Sequence, residues 1–189
     1  MNQGGNEHEI EKYRSYLMLL ARMQLDVRLQ SKVEPSDMVQ RTLLEAYAKR
    51  DQYVGDAAGF GGWLAKALAN NVRDELRRQR RKKRDIARER SIDAMLRESS
   101  SVRLAECLAA MHPSPSNQAA YNEELLKLSD AILALPEAQR EAVVLHHLHG
   151  WTLSEIARHL VRTDAAVAGL LHRGMRRLRE LLKSMSCRK

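Results

Sequence analysis

Cysteine is almost missing from this chain. Its 189 residues include two, Cys107 and Cys187, far apart and with no partner at motif spacing. That excludes a disulfide framework and offers no activated thiol, and it fits a reducing cytoplasm. Four prolines and nine glycines are few, and with abundant Ala, Leu, Arg and Glu they point to an all-α chain. Gly59, Gly61 and Gly62 follow no strand and match no phosphate loop. No apolar run approaches the roughly 20 residues of a membrane span, and "MNQGGNEHEI" lacks the basic-then-apolar order of a signal peptide. In "HHLHG", His146, His147 and His149 do not share a helical face in the i, i+4 manner, and no carboxylate or thiol completes a metal site. No carboxylate pair is set for acid–base work. The expectation is a protein without cofactor, metal or small-molecule substrate, and not an enzyme.

What the chain has is positive charge. The formal net charge is +8 and the pI about 9.8, which favours a polyanionic partner, either nucleic acid or an anionic membrane surface. Apolar positions Ile10, Tyr13, Leu17, Leu20 and Val27 recur at helical spacing. A break follows at Pro35, with Ser36 and Asp37 as capping candidates for a second helix whose buried face is Met38, Val39, Thr42, Leu43, Ala46 and Tyr47. "RDQYVGDAAG" reads as a loop, and a third helix is expected from about Phe60 to Arg84. The Ser- and Pro-rich stretch after it is acidic within a basic protein. This divides the chain into an N-terminal helical domain (8–90), a linker (91–122) and a C-terminal domain (123–189). In the last of these, helices are expected at about 123–134, 137–148, 152–160 and 164–183.

On the third helix, Phe60, Trp63, Leu64, Ala67, Leu68 and Val72 form a broad apolar face. Lys66, Arg73, Arg77, Arg80 and Arg84 form a stripe roughly opposite, with Asn70 on its edge. The stripe reads either as the wet side of an amphipathic helix or as a phosphate-tracking edge. Seven of the eight residues from Arg77 to Arg84 are cationic, so mutual repulsion calls for an anion. Arginine, with its forked phosphate contacts, outnumbers lysine there.

"TLSEIARHLVRTDAAVAGLLHRGMRRLREL" has helix-turn-helix spacing. Thr152 and Glu155 form a capping-box pair. Ile156, Ala157 and Leu160 are placed to pack on Val167, Leu170 and Leu171, and Asp164 is a candidate cap for the second helix. On that helix Ala165, Gly169, His172, Arg173 and Arg176 face away from the apolar stripe, where a major groove would be.

Taken together, the two halves resemble the extracytoplasmic-function group of the sigma-70 family, the sigma factors of bacterial RNA polymerase. "SDMVQRTLLEAYAKRDQY" looks like the helix by which that family grips the polymerase clamp. "FGGWLAKALANN" is similar to its F-x-x-W-L-x-x-x-A-x-N segment. "ALPEAQREAVVLHHLHGWTLSEIARHL" resembles its domain for the −35 promoter element. The resemblance implies core RNA polymerase and promoter DNA as partners, in the cytoplasm. An inhibitory anti-sigma factor is common in the group, although the sequence does not display one. Carried over by position, Asp37, Gln40 and Leu44 would touch core polymerase. Tyr53, Trp63 and Asn70 would take and read an unpaired base of the −10 element, beside a strand held by Arg73, Arg77, Arg80 and Arg84. For Trp63, plain core packing stands as the alternative. Thr152, Ala165, Gly169, His172, Arg173 and Arg176 would face the −35 element.

Two departures stand out. Ala168, Gly169 and Leu170 occupy places where the family often has basic or polar side chains, and Ala and Gly cannot hydrogen-bond a base edge. Val161 occupies a turn position where glycine is common. Positive φ would be costly for a β-branched residue, so a turn of different detail is expected. The alternative function is a helix-turn-helix regulator that never joins polymerase, which would leave the motifs at 36–47 and 60–72 unexplained.

Overall fold

Helices alone build the fold. The computed structural model describes residues 9–25, 33–55, 57–82 and 118–186, and no strand occurs among the described residues. Arg84, both cysteines, Val27 and most of the expected linker lie outside them, and the side chain of Arg80 is likewise not described.

Helix α1 (Arg14–Gln24) buries Tyr16, Leu17, Leu19, Leu20, Ala21 and Met23. That is more than one face, because α1 is packed by three other helices. Helix α2 spans Pro35–Ala48. The break expected at Pro35 is instead the first residue of the helix, with Glu34 at the cap position and Ser36 and Asp37 inside the first turn. Proline suits that place, since its missing N–H is one the first turn cannot use and its φ is already helical. The expected face is otherwise observed: Met38, Val39, Thr42, Leu43 and Ala46 are buried, while Tyr47 is half-buried.

A 3-10 turn at Arg50–Gln52 leads to α3 (Ala57–Lys82), which starts ahead of Phe60. Phe60, Leu64, Leu68 and Val72 are buried as the periodicity predicts. Trp63 and Ala67 are half-buried margins of that face. Helix α3 lies against α2 and α1.

Helix α4 (Gln118–Leu133) begins inside the stretch read as linker. Leu128, Ala131 and Ile132 are buried, and the helix contacts α1, α3 and α7, so one continuous apolar core joins the N-terminal helices to the C-terminal ones. Helix α5 (Glu137–Val143) passes into a π-helical turn at Val144–Leu148, where a single α-helix was expected. Gly150, at φ 73°, ends it. The N–H of Trp151 then donates to the carbonyl of Leu145 (3.0 Å).

The helix-turn-helix forms from α6 (Leu153–Leu160) and α7 (Asp164–Ser186). The capping box is present: Glu155 N–H donates to the Thr152 hydroxyl (3.3 Å) and Thr152 N–H to the Glu155 carboxylate (2.8 Å). The bonds from Thr152 hold the Glu155 carboxyl below its ordinary range. Ile156, Ala157 and Val167 share a small core with Leu145, flanked by Leu160 and Leu171, and Leu170 is buried. The cap of α7 falls one residue earlier than expected, at Thr163, whose hydroxyl accepts from Ala166 N–H (3.2 Å). Asp164 instead accepts from the Ser154 hydroxyl (2.7 Å), tying α7 to α6.

Val161 does take the left-handed conformation, at φ 52° and ψ 52°, so the β-branched residue adopts at the turn what glycine adopts most easily, where a different detail was expected. The conformation persists because Arg162 N–H still closes on the Ala157 carbonyl (2.9 Å) and the side chain, 90% exposed, meets nothing. Gly174 is buried where α7 crosses α5, and a Cβ there would stand 2.9 Å from Val143 Cγ2. Val161→Gly should therefore stabilise the protein, by about 1 kcal/mol once glycine's extra unfolded-state freedom is subtracted from the left-handed strain. Gly174→Val should destabilise it by about 1–3 kcal/mol through overpacking. Denaturant midpoints of the two variants check both signs.

Candidate nucleic-acid interface

Along α3, Trp63, Asn70 and Arg77 follow one another at seven-residue spacing. Each step advances about 10 Å along the axis and drifts only about 20° around it. The helix thus presents an aromatic ring, a carboxamide and a guanidinium along one line. Asn70 and Arg77 are exposed and Trp63 is half-buried. Arg73, on the neighbouring row, donates from Nη1 to Asn70 Oδ1 (3.0 Å), which leaves the Asn70 amide donors directed outward. Arg77 stands 3.9 Å from Asp74, a loose and exposed pairing of little strength. Lys66 is exposed on the same side.

At the upper end of this line the rings form a corner. Phe60 and Trp63 are stacked at 5.4 Å with 25° between planes. Tyr53, from the loop, tilts against Trp63 at 5.4 Å and meets Phe60 edge-on at 5.2 Å. Trp63 packs one side on the core, and its half-buried remainder faces out. Gly55 lets the loop fold onto Tyr53, because a Cβ at 55 would collide with the Tyr53 hydroxyl. Arg50, which the sequence did not single out, lies over the Phe60 ring (4.6 Å) and pairs with Glu9 (3.3 Å). A tyrosine, a tryptophan and outward amide donors are what an unstacked base needs.

On α2, Asp37, Gln40 and Leu44 are exposed on the face opposite the buried one, and Leu44 is 61% exposed. An exposed leucine between polar neighbours suits a protein contact. On α7, Ala165, Ala168, His172, Arg173 and Arg176 are exposed and Gly169 is half-buried. The Arg173 guanidinium lies back over Gly169, with Nη1 3.1 Å from where a Cβ would sit. Arg176 is 3.9 Å from Glu180, which also takes Arg177 at 3.3 Å. Thr152 is set apart from this face, at the start of α6 with its hydroxyl in the capping box. A separate cleft of about 260 Å³ is lined by Arg22, Arg140, Glu34, Glu137 and Glu141. Its opposite charges offset one another, so it does not extend the basic surface.

The sequence that forms these helices has counterparts in known proteins. Residues 10–82 match the family described as Sigma-70 region 2, and residues 125–178 the one described as Sigma-70, region 4. RNA polymerase sigma factor CarQ of Myxococcus xanthus is 31% identical over 146 residues, covering 77% of this chain and 73% of that protein. ECF RNA polymerase sigma factor BldN of Streptomyces coelicolor is 25% identical over 155 residues, covering 82% of this chain and 53% of its own length. Probable RNA polymerase sigma factor RfaY of Xanthomonas campestris pv. campestris is 32% identical over 149 residues, 78% of this chain and 34% of that protein.

Proposed function

This chain belongs to the sigma-70 family of RNA polymerase sigma factors, in its extracytoplasmic-function group, and on that premise we propose how its surfaces divide the work of starting transcription. The exposed side of α2, with Asp37, Gln40 and Leu44, docks on core polymerase. The ring corner of Tyr53 and Trp63 receives one unpaired base of the −10 element, and Asn70 reads its edge with the amide donors that Arg73 leaves free. Stacking of a base on an aromatic ring is worth about 1–3 kcal/mol, which favours the open strand over the duplex. Arg73, Arg77, Arg80 and Arg84 hold the adjoining phosphates.

The exposed side of α7 enters the major groove at the −35 element. Ala165 and Gly169 bring no side-chain hydrogen bond, so His172, Arg173 and Arg176 supply the contacts, chiefly to phosphates, with Thr152 at the head of α6 beside the backbone. The mechanism is binding throughout, with no catalytic residue. The stretch between the helical halves, acidic in sequence, takes the place of nucleic-acid phosphates in a basic channel of the polymerase. An anti-sigma factor would act by covering these same surfaces. The observation that carries the reading is the line of Trp63, Asn70 and Arg77, continuous with the ring corner.

Run-off transcription with purified core polymerase on fragments of the source genome should yield discrete start sites only when the protein is added. Their absence from every fragment, together with tight binding to duplex DNA alone, would favour a regulator that works without polymerase. Asn70→Ala should relax selectivity at one −10 base, whereas Arg77→Ala should weaken binding to all sequences and reduce the salt slope by about one. Equal loss on every sequence from both changes would refute this division of roles.

A further inference from the structure

Helix α3 carries two adjacent asparagines that point in opposite directions. Asn70 is exposed, while Asn71 is only 4% exposed and faces α2. A buried amide is costly unless its hydrogen bonds are made. Asn71 Nδ2 donates to Thr42 Oγ1 (3.1 Å) and to Glu45 Oε2 (3.2 Å). The Thr42 hydroxyl gives its own hydrogen to the Met38 carbonyl (2.7 Å), so its lone pairs are what Asn71 meets. The other Glu45 oxygen accepts from Arg41 Nε (3.2 Å). An ionised carboxylate only accepts, so the amide has one workable orientation, with its NH2 toward α2. Two α2 side chains, one turn apart in register, thus clasp a single residue of α3.

Most of the rest of the α3 contact is apolar: Phe60, Leu64, Ala65, Leu68, Val72 and Leu76 are buried, while Glu75, also buried, pairs with Arg78 of its own helix. Apolar burial is non-directional, and this face is wide, with Trp63 and Ala67 half-buried at its margins. It opposes withdrawal of the helix more strongly than rotation about its axis. A buried directional polar group specifies register, which is its best-attested use. Consecutive helical residues differ by about 100°, so a modest roll of α3 would turn Asn70 and Trp63 together away from Tyr53, the ring that the loop after α2 contributes to the corner.

We propose that Asn71 is a positioning residue for base selection: by donating to Thr42 and Glu45 it sets the rotation of α3 against α2 and so aims Asn70. This rests on the reading of Asn70 as the base-contacting group. It also makes the polymerase-facing helix the frame from which the base reader is aimed.

Asn71→Leu removes the clasp while leaving Thr42 bonded to Met38 and Glu45 paired with Arg41. Asn71→Asp keeps the shape but sets a carboxylate against Glu45. Adding Glu45→Gln to Asn71→Asp reverses the donor and acceptor and can rebuild the bond. Each protein is assembled with core polymerase and measured against forked promoter fragments carrying each of the four bases at the read position. Salt slope and the thermal midpoint of the full chain are measured alongside. Asn71→Leu and Asn71→Asp should lower base preference by about 5–10-fold, as Asn70→Ala does, with the salt slope unchanged. The Asn71→Asp/Glu45→Gln pair should recover most of it. Preference retained in Asn71→Leu while Asn70→Ala loses it overturns the positioning role and leaves the base reading intact. Should Asn71→Leu fail to fold, a folded double variant without recovered preference overturns it equally. An inert Asn70→Ala sinks the base reading, and the aiming role with it.

Discussion

The outward faces of α2, α3 and α4 are set by the burial of α1. A helix that hides Tyr16, Leu17, Leu19, Leu20, Ala21 and Met23 must be covered on several sides, and α2, α3 and α4 cover it. Each fully buried leucine contributes about 1.5–3 kcal/mol, so the arrangement is strongly favoured. Each covering helix turns its apolar face inward and can use only its remaining side for partners. The exposed side of α2, proposed above as the polymerase contact, and the basic side of α3 are therefore outward sides of two helices held by one core.

Electrostatics works within that frame. The cationic end of α3 does not fray before Lys82, and acidic residues one turn back moderate the repulsion. Glu75 pairs with Arg78 at 2.7 Å while Asp74 stays 3.9 Å from Arg77. The tighter pair ties down Arg78, about 100° round the helix from the row that runs from Trp63, and the looser one leaves Arg77 on that row exposed and available. The Asp74–Arg77 pair is exposed on both sides and so weak, and it shapes which charge is presented more than it stabilises the helix.

How much of this could be read in advance follows from the range of each interaction. The Thr152–Glu155 box and the Ile156–Val167 packing depend on residues close in sequence, and both are where the spacing put them. The start of α2 was misplaced because Pro35 signals a break and a first helical residue equally well. The π-turn at Val144–Leu148 has no periodic signature. Asn70 and Asn71 are the same residue type side by side; periodicity puts the first on the edge of the basic stripe, but the partners of the second, Thr42 and Glu45, appear only once α2 is in place. Gly174 looks like any helical glycine until Val143 is placed beside it. Val161 shows the converse: the local preference was read correctly, and the turn overrode it.

The reach of α4 has a consequence for how the chain is made. Leu128, Ala131 and Ile132 belong to the same apolar cluster as Leu17, Leu20 and Leu64, although translation delivers them long after α3. At about 5–20 residues per second, a nascent chain waits several seconds with α1 lacking one of its covers. During synthesis the N-terminal helices thus expose apolar surface that α4 later covers. The order of the helices along the message makes the N-terminal half the first to be translated, yet its core is not complete until the C-terminal half begins to emerge.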